Sequence, residues 1–586
     1  MKLIWRVILL GTLALLGIMA GSSAFAQTPA FDWRSDWAVA EGFTIVEDTT
    51  GYQFPSAIAF VPEPGPHPKD PLYFVTELRG AIKVVTNDRS IYTFAENVFQ
   101  FKPAEELPSG QGQGGMGGIC LDPDHGYVFV TFLYNDANGR MRNNIVRYQT
   151  KPGVFGLTPD SFVAFTETFA NYESGLAHHI GSCQVVGEQL FVGIGEAWQP
   201  HLARDPDQMV GKIYRMDLDG RPLPDNPFYV DDDITKARNY VWASGFRNPY
   251  AMRIVDGRVF VGDNGVGTDR FVEVRRGEDY AWNGQENSIH LRAAYVWVPS
   301  LAPTTLQYLP PESTLLGPAN VGRFFLGVAG SVRRGKMPGI VRITYDMERE
   351  RVMAVPDYFL RFRGKQEQMV VGVAFGPDGL YFAPIYANQA GQTSVYKIVP
   401  DPANSYPYRP TQVEDPRQII RERGCLGCHQ INGDGGFGGA AGPPLSRELL
   451  IANIQARLNN AQYRQLLAEL DNVEEEPWVS TRAARAAVLS AEGEAAIRQW
   501  IINQIVEPRW DNRGSQMPNL GASPAEAAIV ADYLLARPAQ SDWMARITTV
   551  LRSRLAWLAF GAGLAAGVIV TGGGIWLWHR RRRSRL

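Results

Sequence analysis

The sequence predicts a mainly β chain: a six-bladed β-propeller, followed by an all-α domain and a C-terminal transmembrane helix. Three observations predict it. Strand-like runs of one kind recur six times before residue 400, a Cys-x-x-Cys-His motif opens a helix-rich stretch, and Leu555 to Trp578 is 24 residues without a charge. A chain of 586 residues with 45% hydrophobic content has room for several domains, and a net charge of −3 with no basic patch before the tail gives nucleic-acid binding no support.

Residues 1–26 read as an export signal: Lys2 and Arg6 give a basic start, an apolar run follows, and Ala24-Phe25-Ala26 precedes Gln27. No cysteine follows the cleavage pattern, so a lipid anchor there is not expected.

Residues 31–402 carry the propeller. The recurring runs are Leu72–Thr76, Tyr127–Phe132, Leu190–Gly193, Val259–Gly262, Arg323–Val328 and Leu380–Ala383, whose starts lie 55, 63, 69, 64 and 57 residues apart. Turn signals such as Asp122-Pro123-Asp124, Asp256-Gly257 and Pro377-Asp378-Gly379 precede several of them. A second strand follows each: Ile82–Val85, Ile145–Tyr148, Ile213–Met216, Val272–Val274, Ile340–Thr344 and Val395–Val399. Six units of one supersecondary type with almost no helix imply a ring of six blades. An elongated pair of sandwiches is the alternative, but a closed ring leaves no long sheet edge unpaired.

Propellers gather functional residues where loops meet at one mouth of the central channel. Three segments stand out: Gly112-Gln113-Gly114-Gly115, Ala177-His178-His179-Ile180-Gly181-Ser182 and Gly245-Phe246-Arg247-Asn248-Pro249. Cys120 and Cys183 either pair in an oxidising compartment or are two small buried apolar residues. The run Asp231-Asp232-Asp233 reads as a solvated loop.

With Thr76-Glu77, Gly211-Lys212-Ile213-Tyr214-Arg215, Asp219-Gly220 and Asp225-Asn226-Pro227, these segments resemble the soluble quinoprotein glucose/sorbosone dehydrogenase family over most of Phe54 to Val399. The resemblance implies a six-bladed propeller that holds pyrroloquinoline quinone and calcium and oxidises a sugar. It makes His179 the general base, Gln113 a substrate-binding amide, and Arg247 and Asn248 binders of the anionic cofactor. The family's calcium loop reads His/Gln-Gly-Pro followed by an Asp-Glu pair, whereas this chain has Asp263-Asn264-Gly265-Val266-Gly267-Thr268-Asp269. Calcium would then rest on Gly265, Val266 and Asp269, with Arg270 beside it. The family's cofactor arginines before a Pro-Asp-Gly turn are replaced by Met369-Val370-Val371-Gly372, which leaves Arg333 or Lys336 to supply the charge. On the residues alone, His179 can equally be a structural histidine, Arg247 half of a buried ion pair, and Gln113 a turn residue.

Residues 411–540 form the all-α domain. Cys425-Leu426-Gly427-Cys428-His429 suits covalent haem c attachment, with thioethers from Cys425 and Cys428 and His429 as axial ligand. A zinc site would need a second ligand pair, and a thiol redox pair would not need the histidine. Met517, fixed by Pro518, is the candidate sixth ligand; the bland alternative is a core methionine. With Gly442-Pro443-Pro444-Leu445 and a closing helix Pro524–Ala536 capped by Ser523, the stretch Arg421 to Arg537 resembles a class I cytochrome c domain. Helical insertions are expected over Leu449–Leu470 and Thr481–Ile505.

The transmembrane segment, residues 555–578, is long enough to span a hydrocarbon layer, and the tail at residues 579–586 holds five arginines that keep it cytoplasmic. The body is thereby expected outside, on the periplasmic side. Two functions follow as expectations. The first is a membrane-anchored quinohaemoprotein dehydrogenase that oxidises a sugar and passes electrons through haem to a respiratory acceptor. The second is an electron-relay cytochrome whose degenerate propeller binds carbohydrate or protein.

Overall fold

The computed structural model describes residues 33–96, 114–330, 337–403, 415–431, 434–435, 442–520 and 522–536. The export segment, Gln113, Arg333, Lys336, the apolar run at 555–578 and the basic tail lie outside them. Among the described residues no helix is long and apolar enough to cross a membrane. The chain divides into a unit of residues 1–531 and a unit of residues 532–586, and only 532–536 of the latter are described.

Two short strands come first, β1 (Trp37–Val39) and β2 (Phe43–Thr50). Blade one is β3 (Pro55–Phe60), β4 (Pro71–Glu77), β5 (Ile82–Thr86) and β6 (Ile91–Ala95); blade two is β7 (Met116–Asp122), β8 (Tyr127–Asn135), β9 (Met141–Gln149) and β10 (Ser161–Ala164). Blade three is β11 (Ile180–Val186), β12 (Gln189–Ile194), β13 (Lys212–Asp217) and β14 (Val241–Ser244); blade four is β15 (Ala251–Val255), β16 (Arg258–Asp263), β17 (Asp269–Val274) and β18 (Tyr295–Trp297). Blade five holds β19 (Pro303–Leu309), β20 (Arg323–Val328), β21 (Gly339–Asp346), β22 (Arg351–Val352) and β23 (Asp357–Phe362). Blade six holds β24 (Val370–Phe375), β25 (Leu380–Pro384) and β26 (Ser394–Pro400).

The six expected recurring runs are the second strands of the six blades, and the runs that follow them are the third. Second strands are buried on both faces: β4 is buried at every residue, as is β25. That is why they read as unbroken apolar runs. Inner strands pack side by side around the channel, where their backbones approach closely. A Cβ at Gly117 would meet the Ile180 carbonyl oxygen at 2.6 Å, and one at Gly118 would meet the Gly181 carbonyl oxygen at 2.6 Å. Glycine is required at both positions.

The ring is closed from the N-terminus. β2 pairs antiparallel with β26 as the outer strand of blade six, and β1 pairs with β23 on blade five. Trp37 locks this closure, its ring centroid 5.0 Å from Phe362 and 5.1 Å from Phe382. Truncating a tryptophan so buried costs about 3–5 kcal/mol. Cys120 on β7 and Cys183 on β11 form a disulfide with Cα atoms 5.8 Å apart, which stitches blades two and three together and settles the choice the sequence left open.

Six helices follow: α1 (Pro416–Glu422), α2 (Arg447–Asn459), α3 (Ala461–Leu470), α4 (Arg482–Ser490), α5 (Gly493–Val506) and α6 (Pro524–Leu535). The insertion is helical where expected, with a break in each half. Asn460 is extended, and its side chain accepts from the amides of Gln462 and Tyr463, capping α3. Gly493, at φ +57°, separates α4 from α5. At α6 the predicted cap forms a reciprocal box: Ser523 Oγ accepts from the Glu526 amide at 3.2 Å and Glu526 Oε2 accepts from the Ser523 amide at 2.9 Å. Buried Arg485 holds the insertion together by donating to Asp471, Thr481, Trp478 O and Trp510 O.

Candidate functional site

The inner strands β3, β7, β11, β15, β19 and β24 enclose a channel of about 640 Å³ whose lining begins past the candidate site residues, on the strands themselves. Gly114-Gly115 leads into β7, His178-His179 into β11 and Arg247-Asn248 into β15, so the segments singled out in the sequence meet at one mouth.

His179 Nδ1 lies 2.6 Å from the carbonyl oxygen of Ile180. A carbonyl can only accept, so Nδ1 donates to it, and in the neutral tautomer that this bond selects the lone pair lies on Nε2. Its Cε1 edge lies 3.5 Å from where a Cβ on Gly117 would stand, an ordinary contact that places the ring beside the start of β7. His178 has a separate task. Its Nδ1 is 3.0 Å from Glu196 Oε1 and its ring leans on Trp198 at 4.4 Å. Burial pushes its pKa down, with Glu196 pulling the other way, and the ring is neutral near pH 7. Glu196 Oε2 also accepts from Trp282 Nε1 at 2.8 Å.

The turn that carries Arg247 and Asn248 is braced from below. Asp263 Oδ1 accepts from the Asn248 amide at 2.7 Å, and its Oδ2 accepts from Arg270 Nη2 at 2.7 Å; Asp263 and Arg270 are both fully buried. Arg270 also donates to the carbonyls of Tyr280 and Leu291, so its charge is spent inside the scaffold. Arg247 differs. Its guanidinium is 5% exposed, donates through Nη1 to the neutral carbonyl of Asn264 at 2.7 Å, and has no carboxylate partner among the described residues. Asn248 Oδ1 is buried without a hydrogen-bond partner among them. A buried unpaired cation beside an orphaned amide atom is costly unless a ligand completes it, and an anionic, hydrogen-bonding cofactor fits both.

The calcium expectation falls on Gly265, Val266 and Asp269, a loop whose carboxylate is tied to the surrounding backbone. Asp269 Oδ1 accepts from the Gly265 amide at 2.9 Å, and Oδ2 accepts from the amides of Leu301 and Ala302 at 2.5 and 2.7 Å. The Val266 carbonyl takes Ser300 Oγ at 3.2 Å. Both carboxylate oxygens of Asp269 thus hold backbone amides. Among the described residues no cluster of three or more His, Cys, Asp or Glu stands ready for a metal ion.

In the helical segment, Cys425 and Cys428 are free thiols flanking a 3₁₀ turn (Cys425–Gly427). Burial pushes Cys425 up to about 11 and Cys428 to about 12, the opposite of what a thiol-exchange pair needs. His429 Nδ1 donates to the Pro443 carbonyl at 2.8 Å, which leaves Nε2 as the coordinating atom. A Cβ on Gly442 would stand 2.5 Å from His429 Cε1, so the ring is cradled by bare backbone. These donors fit a thioether-bound haem with a histidine ligand. Met517 is half-buried, its sulfur 3.7 Å from Gln504 Nε2, on a loop tied down by Asn519 Nδ2 to the Val506 carbonyl at 3.0 Å.

Residues 53–309 match the family model Glucose / Sorbosone dehydrogenase. The match covers blades one to four of the propeller and the inner strand of blade five. Among curated proteins, aldose sugar dehydrogenase YliI of Escherichia coli is 32% identical over 96 residues, 16% of this chain; the chain spans a quarter (25%) of that relative's length. Similar solved structures include a glucose dehydrogenase (20% identity, 60% of this chain and 98% of the other, TM-score 0.48). A PQQ-bound aldose sugar dehydrogenase from Streptomyces coelicolor is 22% identical over 62% of this chain and 100% of the other, with TM-score 0.45.

Sequence reasoning missed Glu196, Asp263 and Trp282. Glu196 had a cue: an acid within Gly195-Glu196-Ala197-Trp198, directly after an apolar second strand. Asp263 and Trp282 act through tertiary contacts that no spacing reveals.

Proposed function

We propose that the glucose/sorbosone dehydrogenase-type propeller oxidises an aldose with pyrroloquinoline quinone as cofactor, and that a c-type haem on Cys425, Cys428 and His429 carries the electrons away. The observation that supports it most is the juxtaposition of a tautomer-fixed His179 with an unpaired buried Arg247 and an orphaned Asn248 at one channel mouth. His179 Nε2 would take the proton of the anomeric hydroxyl, and Arg247 and Asn248 would hold the anionic cofactor by charge and hydrogen bonding. The quinone, when bound, supplies the hydride acceptor. The Cys120–Cys183 disulfide supports a body outside the cytoplasm, anchored by residues 555–578, with the tail inside. Gly265, Val266 and Asp269 have no part in this proposal.

The test is reconstitution of the purified, haem-matured protein with the quinone, with and without calcium, followed by addition of aldoses. Growth of the ferrous haem band is the expected result. Quinone uptake with no haem reduction by any aldose would favour the second reading, a relay cytochrome on a degenerate propeller. The self-satisfied Asp269 loop favours that second reading.

A further inference from the structure

The haem motif is not carried on a free tether. Its turn lies directly on blade four: a Cβ at Gly424 would stand 2.9 Å from the Val296 carbonyl oxygen, and one at Gly427 would stand 2.7 Å from Val298 Cγ2 and 3.2 Å from His290 Cε1. Cys425 and Leu520 pack into the apolar core shared by blades four and five. Two polar contacts tie the stretch after α5 to the neighbouring blade five, an ion pair of Arg351 with buried Glu507 and a bond from Arg509 Nη2 to the Arg349 carbonyl at 3.1 Å.

Residues 275–294, which join β17 to β18, run from the candidate site to this seam. At one end Trp282 bonds Glu196 and lies under the Arg247 guanidinium at 5.8 Å. At the other, His290 is 2% exposed and presses on Gly427. Between them Trp282 and Ile289 share one apolar cluster, and Arg270 ties Asp263 to the Leu291 carbonyl.

We infer that the haem-binding turn is docked edge-on to blade four, and that the β17–β18 loop, with His290 as its positioning residue, is the crossing by which electrons leave the channel mouth for the haem. The inference rests on the haem reading of Cys425, Cys428 and His429. Conversion of an aldose to its lactone releases two electrons and two protons. The quinone, when bound, would hold both electrons and the protons would pass to solvent; the haem iron would take one electron at a time, ferric to ferrous, and a one-electron acceptor such as a soluble c-type cytochrome or ferricyanide would reoxidise it between the two. A docked turn makes each transfer intramolecular, with no domain search.

The experiment compares the full-length, haem-matured protein with H290A, V298R and R351Q. Three quantities are read: haem reduction after aldose, reduction of a dye that draws electrons from the propeller directly, and amide exchange of residues 424–428 and 295–298 without substrate. Docking predicts joint protection of both segments in the wild type and its joint loss in V298R. Haem reduction should slow about tenfold or more in V298R and several-fold in H290A and R351Q, with dye reduction within about twofold of wild type and haem spectra unchanged. Should V298R not fold, the wild-type exchange pattern and the two milder variants still decide. Free exchange at 424–428 in the wild type, or wild-type haem reduction in coloured H290A and R351Q, overturns the docking. A colourless wild-type protein instead overturns the haem reading itself.

Discussion

His178 and Glu196 face each other across 3.0 Å in the wall of the channel mouth, both almost fully buried. Because burial holds the His178 pKa below the usual 6.5, an unfolded chain takes up a proton there that the folded chain refuses. Stability is therefore complete above pH 6.5 and declines as the pH falls below it. Chemical denaturation at stepped pH should show that decline, and H178Q should flatten it. An unchanged acid limb in H178Q would remove His178 as its source.

His179 is expected to matter to rate rather than to folding. H179A should lower kcat/KM for aldoses by about 10²–10⁴, the usual worth of a positioned general base, with an unchanged unfolding midpoint. Full activity in that variant would exclude His179 from the proton transfer.

Arg247 should govern cofactor affinity. Replacing it with methionine removes one charged hydrogen bond worth about 1.5–3 kcal/mol, or roughly 10- to 100-fold in the quinone dissociation constant. Calorimetric titration of the apo-protein measures this directly. The variant should fold at least as well as wild type, since an unpaired buried charge is gone.

The disulfide closes a loop of 63 residues in sequence separation. The chain-entropy account assigns such a loop about 4 kcal/mol. Paired C120S/C183S substitution should lower the urea midpoint accordingly, and reductant should have no further effect on the double variant.

At the haem motif, M517A should convert a low-spin spectrum to a high-spin or water-ligated one. G442V should hinder haem maturation outright, because its side chain would occupy the space of the His429 ring. A normal spectrum in M517A would point to a different sixth ligand.

The blade count was legible because second strands such as β4 and β25 are buried along their whole length and read as apolar runs. Outer strands were not. β10 is mostly exposed, and its sequence Ser161-Phe162-Val163-Ala164 carries no pattern that solvent would enforce. The closing strands β1 and β2 were invisible for another reason: their partners lie more than 300 residues downstream. His179, Arg247 and Asn248 stood out because they sit on short, glycine- or proline-marked turns. The backbone contacts of Asp269 were not legible, because its amide donors at Leu301 and Ala302 come from the next blade's entry.

The pairing of β2 with β26 fixes when this molecule can become whole. A polypeptide whose opening strands wait for residues near 400 cannot complete its ring until the last blade has been made. It also means that clipping either margin of the toroid unseats the same blade.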